Sequence, residues 1–336
     1  MAYQAGDTIL DDEYNTFVTG NAAGTGDNAV NNVNTLWGAG TLDKGYGETG
    51  STLSSVSAGS TITATQWDNF LSRIETISAH QGSTVTNYST ISAGNTIAAL
   101  ATVATDLATI TTNRLNATAS GATVTTSGAI NRTGSWQASI DAIHRITFAS
   151  ANALRYFFNA GGLVTFTFSL SGGTANAKYN EWVDLVTQMG TVYFSGSASH
   201  TVNGQALTGT TQVGGGAGGA GSTVSSIDAF ALTTSNQQIM IKYADSSPYT
   251  ANYIQIQAAA DAAAGSATYI DFTITANDAA ADTGNPTYPL SGTNPASLDL
   301  ITGTFTSTMA FIYPSSTYLT SSAWGTPAMS NQNDYD

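Results

Sequence analysis

The chain has 336 residues, no cysteine and a formal net charge of −14, with eight basic residues against 22 acidic ones. Only 9% of its residues are charged and 41% are hydrophobic, a hydrophobic content too high for a disordered chain. The few, scattered basic residues exclude a nucleic-acid-binding surface, which needs clustered Lys and Arg. The absence of cysteine excludes disulfides and thiolate metal sites.

The N-terminal residues show neither the basic region nor the apolar region of a secretory signal. No stretch approaches the roughly 18 consecutive apolar residues that a membrane-spanning helix needs. We therefore expect a protein that is assembled in the cytoplasm in which it is made and is not inserted in a membrane.

The N-terminal third contains an internal repeat. Residues 5–9 (AGDTI) and 58–62 (AGSTI) are each followed, at the same offsets, by an aromatic residue, Asn or Asp, and a phenylalanine, and residues 93–97 (AGNTI) form a partial third copy. Each copy indicates a glycine turn, a short extended pair and then a capped helix. The aromatic pairs are Tyr14 with Phe17 and Trp67 with Phe70.

Three helices are predicted in this part of the chain: one through Tyr14 and Phe17 after the first copy, a short one before Gly38 and one in the second copy. In the second copy, Thr65 is the expected N-cap and Gly82 the expected stop. A short helix is expected before Gly38, with Val30, Val33 and Trp37 on one side. The apolar stripe of the second-copy helix consists of Trp67, Phe70, Leu71, Ile74 and Ile77.

Leu100, Val103, Leu107 and Ile110 continue with the three-and-four spacing of a coiled-coil seam. The flanking positions lack charged partners, so we expect this helix to form only against partner helices.

Residues 135–195 predict the order helix, strand, helix, strand. A first helix is expected from Ser135 to the stop at 159–162, and a strand over 163–170. A second helix follows up to Gly190, and a second strand covers 191–194. The apolar residues of the two helices are Trp136, Ile140, Ile143, Phe148 and Leu154, then Trp182, Leu185, Val186 and Met189.

Beyond residue 195 the alternation of apolar residues is typical of strands, as in Ile270, Phe272 and Ile274, and turns rich in Asn, Asp, Gly and Pro separate them. We expect an antiparallel sandwich or barrel. The overall prediction is an α+β fold in four parts. These are a helical repeat and anchoring region (1–118), an α+β module (119–213), a Gly-rich linker or loop (214–221) and a β-sandwich-like domain (222–336).

Two segments carry a resemblance to a known group of proteins. Residues 152–162 (NALRYFFNAGG), the strand and Gly-Gly turn after them, and the stretch from Glu181-Trp182 to Thr191 resemble a module of virion structural proteins in tailed bacteriophages of marine cyanobacteria and other marine bacteria. Residues 62–68 (ITATQWD) resemble helix starts of phage fibre proteins, with Asp68 where Asn is usual. The matches lie within the first 195 residues.

The resemblance implies a non-enzymatic virion protein, assembled in the host cytoplasm, in a tail, neck or fibre. Its expected partners are further copies of itself, with a homotrimer favoured, and other virion proteins. Such proteins have no catalytic residues to carry over. We expect attachment through the N-terminal region and subunit or virion contacts through Tyr14, Phe17, Trp67, Phe70, Leu100, Leu107, Phe157 and Phe158.

The alternative is a receptor-binding fibre tip or capsid decoration protein that recognises host cell-surface polysaccharide through the C-terminal β domain. Its expected receptor-facing residues are Tyr249, Tyr253 and Tyr288, because aromatic rings stack on sugars. An exported bacterial adhesin is a third hypothesis, weakened by the missing signal peptide.

An enzymatic tailspike is the last hypothesis. A glycosidase needs two facing carboxylates, and no motif supports such a pair. The three histidines lack metal-ligand spacing, and neither 11–13 nor 278–285 has the spacing of a calcium loop. We expect no cofactor, metal or catalytic site. The residues weighed for these functions are Asp261, Asp271, Asp278, Asp282, the glutamates Glu13, Glu48, Glu75 and Glu181, and His80, His144 and His200.

Overall fold

The computed structural model describes residues 11–20, 31–92, 100–124, 128–197, 199–263, 265–280 and 300–335. The first and third repeat copies (5–9 and 93–97), Val30, Asp282 and Tyr288 lie outside these residues, as does the side chain of Leu100. Within them the chain has an α+β fold rich in β-structure, as the sequence predicts. Six α-helices are found there: α1 (Asp11–Thr19), α2 (Val33–Trp37), α3 (Ala64–Gln81), α4 (Leu100–Thr112), α5 (Ala151–Asn159) and α6 (Ala177–Met189).

Helix α3 begins two residues earlier than predicted. Thr63, not Thr65, is the N-cap: its side chain accepts a hydrogen bond from the Gln66 N–H, and the Gln66 side chain accepts one from the Thr63 N–H. This reciprocal capping box satisfies two backbone donors that the first helical turn would leave unpaired. Gly82 ends the helix in the left-handed conformation, with a φ of 69°, as predicted.

The apolar stripe of α3 is buried as predicted, and so are Val103, Leu107 and Ile110 of α4. Helix α4 packs against α3 of the same chain. The helix that this seam was expected to need is therefore α3 of its own chain.

The predicted helix from Ser135 is also wrong. Residues Ser139–Thr147 form strand β3, and α5 begins only at Ala151, after the N-cap Ser150. Every second side chain of β3 is buried: Ile140, Ala142, His144 and Ile146. The segment therefore has the apolar period of a strand as well as that of a helix. Pairing with a strand on each side decides between the two periods, since tertiary contacts outweigh local propensity.

The remaining strands form two six-stranded antiparallel sheets. The first has the order β1-β13-β4-β5-β8, with β2 beside β13; the second has the order β14-β3-β12-β11-β10-β9. A separate hairpin joins β6 (His200–Val202) and β7 (Gln205–Leu207). The strands of the first sheet are β1 (Ser120–Val124), β2 (Ala129–Thr133), β4 (Leu163–Ser171), β5 (Thr191–Phe194), β8 (Thr210–Val213) and β13 (Thr304–Pro314). Those of the second, besides β3, are β9 (Thr223–Val224), β10 (Gln237–Tyr243), β11 (Tyr253–Ala260), β12 (Tyr269–Asn277) and β14 (Ala328–Asn333).

The topology corrects the predicted division of the chain. Strand β13 lies between β4 on one side and β1 and β2 on the other, while β3 lies between β12 and β14. Both sheets therefore combine strands from 119–213 and 222–336, so these two ranges are not separate domains. The predicted strands β4, β5, β11 and β12 and helix α6 are confirmed.

The two sheets face each other across an aromatic interior. The Phe272 ring of the second sheet lies 4.9 Å from Phe166 and 5.2 Å from Phe194 of the first, measured between ring centroids. Helix α6 packs on β4, β10 and β11 and buries Trp182 edge-on against Trp136, 4.7 Å away. Such ring pairs add to the free energy gained by burying their apolar area.

The Gly-rich segment 214–221 is a packed loop. The Lys242 ammonium group is buried and donates to Gln212 Oε1 at 2.8 Å, to the Gly216 carbonyl at 2.9 Å and to the Ala217 carbonyl at 3.1 Å. The Gly219 N–H donates to the Tyr243 carbonyl at 2.8 Å. Of the two sequence interpretations, linker or loop, the loop is confirmed.

Candidate functional site

Most of the residues expected at subunit contacts lie inside one chain. Tyr14, Trp67, Phe70, Leu107, Phe157 and Phe158 are all buried at 1% exposure or less, and Phe17 is half-buried and stacked on Phe70. In this fold the six buried side chains are not available to a second subunit. Their large apolar side chains form part of the interior of the chain.

The segment 152–162, which carries the phage resemblance, fastens α5 to the loop after α2. The buried Arg155 guanidinium donates to the carbonyls of Leu42, Ala39 and Lys44 at 3.2, 2.9 and 3.1 Å. The buried Asn159 amide donates to the carbonyls of Leu42 and Gly45, both at 3.1 Å.

The glycines of the same motif are required by close packing. A Cβ atom at Gly162 would lie 2.6 Å from the Phe157 ring and carbonyl oxygen, and one at Gly161 would lie 2.6 Å from the Ala117 side chain. Gly161 also has a φ of 93°, a conformation that favours glycine. The distinctive residues of the motif thus have structural roles.

Of the three tyrosines expected to face a receptor, Tyr249 is placed differently from the prediction. Tyr249 is 6% exposed, and Tyr253 is half-buried with its ring 5.4 Å from that of Tyr243. Tyr288 lies outside the described residues. A buried ring cannot stack on a sugar, so Tyr249 is not a receptor-facing residue in this structure.

A polar cavity of about 330 Å³ lies elsewhere, on the outer face of the second sheet. Its floor is formed by outward residues of β3, β11 and β12, and its wall by the loop before β10, which contributes Thr234 and Asn236. Tyr269, Asp271 and Thr273 alternate along β12 toward this cavity, and Asp261 follows the end of β11.

The two carboxylates of the cavity are held in place. Arg145 Nε and Nη2 donate to the two Asp271 oxygens, both at 2.6 Å, and the guanidinium carbon lies 3.8 Å from the centre of the Tyr269 ring. Asp261 accepts hydrogen bonds from the Thr268 hydroxyl at 2.6 Å, the Thr268 N–H at 2.7 Å and the Tyr269 N–H at 3.0 Å.

These bonds decide the ionisation of Asp261. Burial opposes its ionisation, but the hydrogen bonds from Thr268 and Tyr269 together lower the pKa of Asp261 below its ordinary value. The acid of a glycosidase needs a raised pKa. Asp261 and Asp271 do lie at one cavity, as the enzymatic hypothesis requires. The pKa of Asp261 is lowered, however, whereas the general acid of a glycosidase needs a raised pKa.

The other carboxylates considered in the sequence lie apart from this cavity. Asp278 pairs with Lys178 in the interior at 2.5 Å, and Asp282 lies outside the described residues. Glu48, which is 1% exposed, accepts from the Thr320 hydroxyl and the Ser321 N–H. Glu75 accepts from the Tyr88 N–H, and Glu13 lies on the half-buried first turn of α1.

One acidic cluster was not predicted. Glu181 and Asp184 of α6 and Asp245, after β10, each place one carboxylate oxygen within 4.8 Å of the others. Glu181 Oε1 accepts from the N–H groups of Asp245 and Ser246, and the Gln188 amide donates to Asp184 and Asp245. These contacts attach α6 to the β10–β11 loop. Sequence spacing could not reveal the cluster, because Asp245 is brought in by the fold.

All three histidines are buried, His80 on α3, His144 on β3 and His200 on β6. Burial lowers the pKa of His80, His144 and His200 from 6.5 to about 4. His144 Nε2 lies 2.8 Å from Ser307 Oγ and joins the two sheets. The histidines are therefore neutral parts of the interior and, within the described residues, do not come together as metal ligands.

No protein-family model, curated protein or solved structure matches this chain. Among the helices that the structure describes, none is long and apolar enough to cross a membrane.

Proposed function

We propose that this chain is a non-enzymatic structural protein of a bacteriophage virion, assembled in the host cytoplasm as a homo-oligomer, with a trimer favoured. It belongs to a tail, neck or fibre and contacts other virion proteins through its N-terminal region. The observation that carries the proposal is the resemblance of residues 152–162 to a module of phage structural proteins.

The use of that motif in the fold supports a scaffolding function. Arg155 and Asn159 donate to four different carbonyls of one loop, and Gly162 permits contact with Phe157. The distinctive residues of this motif attach helix α5 to a neighbouring loop. Such internal attachment is what a structural component of a virion needs. A catalytic motif would instead present those residues to a substrate.

The surface composition also supports assembly. Charged residues make up 9% of the chain, and the outward positions of β11 and β12 hold uncharged Gln, Tyr, Thr, Ala and Asn side chains apart from one charged residue, Asp271. Charged side chains are depleted from the core of subunit interfaces because burying a charge is costly. Such a face can pack against another protein with little desolvation cost.

The proposal that the protein is not an enzyme is supported by the hydrogen bonds that its carboxylates already accept. Asp271, Asp261 and Glu181 each accept hydrogen bonds from neighbouring groups. A general acid or base needs a pKa near the working pH, and the lowered pKa of Asp261 is far from it.

The second candidate function is recognition of a host glycan. It is favoured by the cavity on the outer face of the second sheet, where an aromatic ring, two carboxylates and an amide converge. This function is compatible with the first, since a virion protein can also bind a receptor.

Two measurements test the first proposal. Antibodies against the chain, labelled with gold, should decorate purified phage particles at a fixed position in electron micrographs. Light scattering of the purified chain should give a mass of several copies of 34.4 kDa, three being the favoured number. Unlabelled particles would contradict the virion function, and a persistent monomer at high concentration would contradict the oligomer.

A further inference from the structure

We propose that the cavity lined by Asp261, Tyr269, Asp271 and Asn236 binds a neutral saccharide of one or two rings. This inference rests on the second candidate function, glycan recognition, and replaces its predicted tyrosines with a defined site.

The size of the cavity sets the size of the ligand. Its volume is about 330 Å³, at the lower end of the roughly 300–1,000 Å³ range of small-molecule sites. That volume accommodates one sugar ring with part of a second, and the rest of a longer polysaccharide would extend along the open face of the sheet.

The polar groups of the wall match hydroxyl groups. Carboxylate oxygens accept hydrogen bonds, and each carboxylate has about four acceptor positions, of which Asp261 uses three for Thr268 and Tyr269. The amide of Asn236 and the hydroxyl of Thr273 can each donate and accept. A saccharide hydroxyl also does both, so every one of these groups can be paired by the same ligand.

The charges of the wall disfavour an anionic ligand. Two carboxylates line the cavity, and the neighbouring cation, Arg145, is already paired with Asp271 through two hydrogen bonds of 2.6 Å. A sulfate, phosphate or sugar acid would meet two carboxylates and one guanidinium, which together carry a net negative charge. Since like charges disfavour each other in a partly desolvated site, the ligand is neutral.

The same pairing disfavours a metal ion. Asp271 is neutralised by Arg145, and Asp261 has N–H and O–H donors directed at both of its oxygens. A cation would have to displace these donors, whereas a hydroxyl group can add to the remaining lone pairs.

The site is organised before the ligand arrives. The Arg145 guanidinium contacts both Asp271, through two hydrogen bonds, and the Tyr269 ring, whose centre lies 3.8 Å away. Asp261 is fixed by three hydrogen bonds. Binding therefore orders few side chains, which keeps the entropic cost small. The Arg145 guanidinium covers one face of the Tyr269 ring, so the other face is the apolar surface on which the C–H face of a sugar would pack.

The test is ligand-observed NMR titration of the full chain with methyl glycosides of glucose, galactose, mannose and N-acetylglucosamine, and with their disaccharides. At least one neutral glycoside should bind at millimolar concentration. Asn236→Ala and Thr273→Val should each weaken that binding about threefold to tenfold, the effect of one lost hydrogen bond. Tyr269→Ala should weaken it further.

Gln255→Ala is the matched control. Gln255 faces outward on the same sheet, on strand β11, about 13 Å along that strand from Ala259 at a rise of about 3.3 Å per residue. Its replacement should leave the affinity unchanged. Asn236 is exposed, so Asn236→Ala reports on the site even if Tyr269→Ala fails to fold.

Three results would overturn the inference: no binding by any neutral glycoside, binding that Asn236→Ala and Thr273→Val leave unchanged, or a preference for glucuronic acid or Ca²⁺ over the neutral sugars. None of them changes the labelling of particles by antibody, which tests the virion function separately.

Discussion

The Lys178 ammonium nitrogen lies 2.5 Å from an Asp278 carboxylate oxygen, and the two side chains are 0% and 2% exposed. The pair links the start of α6 to the residue after β12, and so joins the helix to the second sheet. A buried ion pair gains little over an apolar pair of similar volume, but a single buried charge is costly.

Lys178→Met is therefore expected to lower the free energy of unfolding by about 3–5 kcal/mol, because it leaves Asp278 charged and buried. The double variant Lys178→Met with Asp278→Leu should recover most of that loss. Denaturant unfolding of the four proteins of this double-mutant cycle measures both effects. A double variant as unstable as the sum of the single ones would contradict the role of the pair.

The buried histidines predict a loss of stability in mild acid. Their folded pKa values of about 4 lie below the unfolded value of 6.5, so below pH 6.5 the unfolded chain binds protons that the folded chain does not. At about pH 5 each histidine should lower the free energy of unfolding by about 2 kcal/mol relative to pH 7.

Denaturant unfolding at a series of pH values between 7 and 5 checks this. Carboxylates with ordinary pKa values titrate mostly below that window. Burial raises the pKa of Asp228, which would increase stability as pH falls, so a loss of stability on acidification belongs to the histidines. A His144→Gln variant should keep about two thirds of the slope. If stability is the same at both ends of the window, the histidines are not neutral and buried as described.

Arg155→Lys should loosen the loop after α2. Lysine cannot reproduce the forked donors that reach three carbonyls, and unpaired buried carbonyls cost about 1–3 kcal/mol. Hydrogen exchange of residues 39–47 should become faster. The comparison variant is Arg73→Lys, because Arg73 donates to one carbonyl, that of Ser51; its effect should be smaller and should spare residues 39–47.

Gly162→Ala should destabilise the chain by about 1–3 kcal/mol, since its Cβ would overlap the buried Phe157 and force a shift. Gly50→Ala serves as the control, because a Cβ at Gly50 meets nothing within 4 Å. Thermal unfolding compares the two. Equal midpoints would show that the α5 turn tolerates a side chain and that this glycine is not a packing requirement.

A feature of the fold could be predicted from the sequence where the residues that determine it lie close together along the chain. Helix α6 was predictable because Asn176 caps it, Gly190 ends it and its apolar residues lie on one face. Strand β3 was not predictable. Ile140 and Ile143 have the spacing of a helix, while Ile140, Ala142 and His144 have the spacing of a strand, so the local pattern allows both. The cavity was beyond prediction, since Asn236, Asp261 and Asp271 meet only after β3, β11 and β12 have paired.

By itself, the sequence determined the α+β class, the capped helices and the resemblance of residues 152–162 to a phage module, because capping residues, glycine stops and apolar periodicity act over a few neighbouring positions. The tertiary structure decided which side chains are buried, that β3 and β13 merge two predicted domains into shared sheets, and where Asp261, Asp271 and Tyr269 converge. The shared sheets depend on contacts between residues more than a hundred positions apart, such as Arg145 with Asp271, and the cavity depends on the pairing of β11 with β12. Such contacts leave no periodic trace in the chain.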